Sequence, residues 1–265
     1  MTDFFAPLLA AGAAVLAELD WLQLALILLT IFCAATVKGA IGFGFPLLAT
    51  PLISTIWDAR QAVLLISIAS LLNNINIVMR GGGSRATFGR FVPVLIGLVI
   101  GTVAGALLLA SVNARLLEGI VGVAALIFGI VGLIKPDLAI PPRLERYLAF
   151  PMGLAGGLLG GSTSIFAPAL ASFTHALHLS KREFVFFLTL LYVVGTGVQV
   201  ASYAQLGLYT AMILLLAAAS LVPNILGVSL GLRLQDRIDP KLFRRLVVLV
   251  IILTGSSLVL RALLR

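Results

Sequence analysis

Lys38–Pro51 reads KGAIGFGFPLLATP: three glycines (Gly39, Gly42, Gly44), two prolines (Pro46, Pro51) and a lysine in apolar surroundings. No other charged residue occurs between Asp20 and Asp58. A helix in lipid has to satisfy its own backbone, so glycine and proline at this density predict a broken helix. Irregular backbone survives at membrane depth only where it is buried in protein or lines a water-filled cavity. A lysine beside such a break is a candidate binding site for an anion. The pattern returns as GGLLGGSTSIFAP, Gly156–Pro168, and the predicted architecture follows from that echo.

Composition agrees. The 265 residues are 61% hydrophobic and 11% charged, with a mean hydropathy of +1.17. Soluble chains carry roughly 25% charged residues, whereas apolar runs of about 18 or more residues, each long enough to cross a bilayer, recur here. The expected class is all-α, a polytopic integral membrane protein. The net charge of +8 is read as basic cytoplasmic loops rather than nucleic-acid binding. Cys33 is the single cysteine; it excludes an internal disulfide and is expected to pack inside a helix. Residues 1–20 carry Asp3, Glu18 and Asp20 but no Lys or Arg, unlike a secretory signal, and read as an interfacial segment on the outer face.

Residues 21–134 form a first repeat, 135–146 a cytoplasmic linker, and 147–265 a second repeat. The first contains a span from Trp21 to the break at Gly39–Gly44, a short arm to Trp57, and three further helices. The second breaks at Gly156–Ser164, continues as an arm from Ile165 to His178, and adds three more. Pro51 matches Pro168, Gly39 matches Gly156 and Gly44 matches Gly161 at one constant spacing.

If each broken segment is a hairpin followed by three full crossings, the second repeat is inverted. With the N-terminus outside, the basic segments 80–90, 135–146, 181–182 and 233–245 fall inside. Arg60, Arg115, Arg261 and Arg265 remain outside and Lys38 lies in the membrane. Single crossings scatter the basic residues over both sides, so the positive-inside rule selects the hairpin arrangement. Two inverted hairpins that meet near the midplane, with helix N-termini aimed at an anionic group, describe a secondary transporter.

The two copies GFGFPLLATP and GGLLGGSTSIFAP resemble the TauE/SafE family of membrane permeases, over nearly the whole chain from Trp21 onward. The resemblance implies movement of sulfite, organosulfonates or related small anions across the cytoplasmic (inner) membrane of a bacterium. Phe45–Pro46 after Gly44, and Ser162–Thr163–Ser164 after Gly161, depart from the usual glycine runs.

The candidate substrate-binding residues are Lys38, Gly42, Gly44, Asn73, Ser162, Thr163, Ser164 and Gln199. Lys38 could instead snorkel to an interface, but its place just before a break favours anion binding. Ser162, Thr163 and Ser164 could cap the second arm or bind through the same exposed N–H groups. Asn73, Asn74 and Asn76 share one helix, and Asn73 is preferred among them. The repeat sets Thr196 opposite Asn74 and adds Gln199. His175 and His178 are expected at an interface, and no cofactor or metal site is expected. The expected partners are the bilayer and a small anion, with self-association left open. The alternatives are an anion channel and an intramembrane serine hydrolase built on Ser162.

Overall fold

The computed structural model describes residues 20–41, 44–78, 85–134, 142–177, 179–234 and 240–264. These form ten helices and no strands: α1 (Trp21–Ile41), α2 (Phe45–Ile56), α3 (Ala59–Val78), α4 (Arg85–Ser111), α5 (Ala114–Ile134), α6 (Pro142–Thr163), α7 (Ala167–Ala176), α8 (Lys181–Gln205), α9 (Ala211–Leu234) and α10 (Pro240–Leu264). Five stretches among the described residues are long and apolar enough to cross a membrane. They lie in α1, α4, α8, α9 and α10, as runs of Leu, Val, Ile and Ala dictate. The outward faces stay apolar: Leu26, Ile100, Leu107, Leu214, Ile225 and Leu253 are all exposed.

Several helices begin on a side-chain cap. Asp20 Oδ1 accepts from Gln23 N, Asp58 Oδ1 from Arg60 N and Gln61 N, Asn113 Oδ1 from Leu116 N, and Thr210 Oγ1 from Ile213 N. Ser180 accepts from Glu183 N and donates to its carboxylate, a reciprocal arrangement that fixes the first turn of α8. Three arginines satisfy carbonyls at helix C-termini, which carry partial negative charge. Arg60 Nη2 donates to Val112 O just past α4, Arg115 to Ala262 O and Leu263 O of α10, and Arg261 Nη1 to Thr55 O of α2. At the start of α4, Arg90 forms a two-pronged ion pair with Glu145 of α6 at 2.7–2.8 Å.

Packing follows a reciprocal scheme. Helix α1 lies against α9, α6 against α4, α3 against α8, and α5 against α10. The first two crossings are close because glycine meets glycine. A Cβ built on Gly231 would lie 2.8 Å from Gly39 Cα, and one built on Gly105 would lie 2.9 Å from Gly161 Cα. Gly101 and Gly227 face the backbones of Leu154 and Phe32. Small residues let membrane helices approach in this way.

Several expectations need correction. The glycines at 156, 157, 160 and 161 do not break a helix; α6 is continuous to Thr163, because they seat it on α4 and against the side chains of α7. The interruption lies at Ser164–Phe166, and Ser164 is left-handed at φ 62°. The second arm is shorter than drawn, Ala167–Ala176. Helix α6 starts at Pro142, inside the stretch 135–146 expected to connect the repeats. Cys33 is exposed; it faces outward from α1 instead of packing.

Candidate functional site

Two helix starts differ from the capped ones. The N-cap of α2 is Gly44, left-handed at φ 101°, and that of α7 is Phe166; neither start has a side-chain cap. Proline occupies the first turn of both, Pro46 and Pro168, where its fixed φ suits a helix and its missing N–H removes no bond. Both starts therefore keep backbone N–H groups without a side-chain acceptor, at the positive end of a helix dipole.

Both line the same cavity. Gly44, Phe45, Pro46 and Leu47 come from the start of α2; Ser164, Ile165, Phe166 and Ala167 come from the start of α7. Lys38 of α1, Asn74 of α3, and Tyr192 and Thr196 of α8 complete the lining. The cavity volume is about 30 Å³, room for a water or two.

Lys38 is 7% exposed and Asn74 5%, and Lys38 Nζ donates to Asn74 Oδ1 at 2.6 Å. No carboxylate lies within ion-pair distance of Lys38 among the described residues. An ammonium taken out of water with only an amide partner carries a desolvation penalty that an anion would offset. The Tyr192 hydroxyl is buried without a hydrogen-bond partner among the described residues, an unused donor on a cavity-lining residue. Thr196 Oγ1 donates to Tyr192 O of its own helix.

Of the sequence candidates, Lys38, Gly44 and Ser164 line the cavity. Gly42 lies outside the described residues, as does His178. Ser162 and Thr163 are buried but absent from the lining. Their hydroxyls donate to carbonyls of α6, Ser162 to Leu158 O and Leu159 O and Thr163 to Leu159 O. Capping of α7 is thus not their role: Thr163 Oγ1 accepts from Ile165 N, short of the helix. Asn73 is half-buried on α3 and does not line the cavity; its neighbour Asn74 does.

Gln199 stands behind the wall. Its Nε2 reaches Gly160 O at 2.8 Å, Ser164 Oγ at 3.0 Å and Tyr203 Oη at 2.9 Å, while Tyr203 Oη donates to Gly161 O. This buried network holds the left-handed turn at Ser164, whose Oγ also donates to Val63 O. Tyr192 and Phe166 carried no sequence signal, because aromatic residues in apolar helices read as core. Thr196 had one, its place opposite Asn74 in the repeat. His175 contacts the ring of Phe184 edge-on, near the end of α7.

Residues 27–258 match the family described as Sulfite exporter TauE/SafE. The chain belongs to the TauE/SafE family. Family membership and the long apolar helices mark a multi-pass membrane protein of the transporter class. No match was found among curated proteins or among solved structures. Within this TauE/SafE protein, the cavity between the two uncapped helix starts brings a lysine, two helix N-termini and neutral donors together.

Proposed function

We propose that this TauE/SafE protein is a secondary transporter for a small anion, sulfite or a related sulfur oxyanion or sulfonate. It works by alternating access around the cavity shared by α2 and α7. One observation carries the reading: the uncapped N-termini of both short helices and the buried Lys38 line one cavity. Lys38 supplies the compensating charge, the amides of Gly44, Phe45 and Leu47 and of Phe166 and Ala167 supply backbone donors, and Asn74, Tyr192 and Thr196 supply side-chain contacts. Ser164 shapes the second break, and Gln199 holds it from behind.

The reciprocal packing supports two inverted repeats, α1–α5 and α6–α10. Under exchange of halves, the α1–α9 contact becomes α6–α4, while α3–α8 and α5–α10 map onto themselves. Such an arrangement allows the halves to rock about a fixed site. The site then lies near the midplane of the cytoplasmic membrane, with the N-terminus outside. A serine hydrolase is not favoured, because Ser162 Oγ donates to carbonyls of its own helix and no histidine contacts it among the described residues.

The test is exchange in proteoliposomes. Labelled sulfite uptake should saturate and should be stimulated by sulfite trapped inside. Non-saturable, voltage-following flux would make the protein a channel, and no flux of any sulfur oxyanion or sulfonate would remove the substrate class.

A further inference from the structure

We propose that Phe166 sets the size limit of the anion, so that the site takes a compact head group and rejects one carrying an alkyl tail. The inference rests on the reading of this cavity as the transported anion's site. Phe166 is 3% exposed and is one of the residues that line the cavity. The ring is seated in a notch between α6 and α8 where the chain has no side chains. A Cβ on Gly195 would lie 2.7 Å from ring Cε1, and a Cβ on Gly160 would overlap the ring. Backed by two helix backbones, the ring cannot withdraw to admit a larger ligand, since packed interiors have no spare volume.

The matched packing glycines show what the ring replaces. Lys38 directly precedes Gly39, and Gly160 directly precedes Gly161. At this place one half of the molecule puts a cation into the cavity; the other puts no side chain at all and lets the Phe166 ring fill the room. The result is a site with one lysine and a rigid aromatic wall. The cavity volume is small, about 30 Å³, so a tail on the charged group has to compete with the ring for room.

The experiment measures competition by methane-, ethane- and propanesulfonate against labelled sulfite, with the purified full chain in lipid nanodiscs. Wild type should weaken progressively along the series. Phe166→Leu should flatten it, raising propanesulfonate affinity relative to sulfite by about tenfold or more, as a methylene in a shaped pocket permits. Gly195→Ala should push the ring inward and weaken every ligand, and the Gly195→Ala/Phe166→Leu double variant should recover sulfite binding. Sulfite binding with an unchanged chain-length ratio in Phe166→Leu overturns the inference and leaves the anion site standing. Absence of binding by any of these anions to wild type overturns the anion-site reading and this inference with it.

Discussion

Asn74 Oδ1 accepts a 2.6 Å hydrogen bond from Lys38 Nζ across 36 residues of sequence, tying the end of α1 to α3 beside the cavity. The amide holds the ammonium in place without neutralising it. A carboxylate there would satisfy the lysine permanently and compete with a ligand; an amide leaves its charge for an anion.

Asn74→Ala should lower sulfite affinity by about tenfold or more, since a hydrogen bond to a charged group contributes roughly 1.5–3 kcal/mol. Asn73→Ala, one position away on α3 but outside the lining, should change affinity less than about threefold, well under a further kcal/mol. Equal losses in the two variants, measured by titration of purified protein, would break the assignment of Asn74 to the site.

Gln199→Leu should reduce stability by about 2–3 kcal/mol, because it leaves the Tyr203 hydroxyl, Ser164 Oγ and Gly160 O without a shared donor. Tyr203→Phe removes only the bond to Gly161 O and its contact with Gln199, and should cost about 1 kcal/mol. Denaturation in mild detergent would show the order; Tyr203→Phe as the more damaging change would contradict it.

Gly105→Ala and Gly231→Ala should destabilise by similar amounts, about 1–3 kcal/mol each, because each adds a Cβ within 3 Å of a facing glycine Cα in equivalent crossings. Thermal unfolding of the two variants compares the α4–α6 and α1–α9 contacts directly. A large loss in one and none in the other would argue against equivalent halves.

Much of this was readable in the sequence. The apolar runs gave the helices within a few residues, and Lys38 stood out because a charge in such surroundings needs a reason. The first break was expected from Gly39, but α1 runs through Gly39 to Ile41, and α2 starts at Phe45 behind the left-handed Gly44. The second break was misplaced by the same logic: Gly156–Gly161 looks like a breaker until α4 is present, and then it is a packing stripe. Asn73 and Asn74 differ by about 100° around α3, and only the neighbouring helices decide which one meets Lys38. Arg60, Arg115 and Arg261 read from the sequence only as charges on the outer side, yet they answer helix C-terminal carbonyls, contacts between residues far apart in the chain that no local pattern announces. The aromatic wall at Phe166 was invisible for a related reason, because its seat is made by glycines of two other helices.

The most direct test of the central claim is thermal unfolding of purified wild type and Lys38→Met with and without sulfite. At 100 times its Kd, a ligand stabilises the folded state by roughly 2.7 kcal/mol. Wild type should gain this stability in sulfite, while Lys38→Met should fold but gain almost none. An undiminished gain in Lys38→Met would contradict it, because the anion would then be held somewhere other than between Lys38 and the two helix starts.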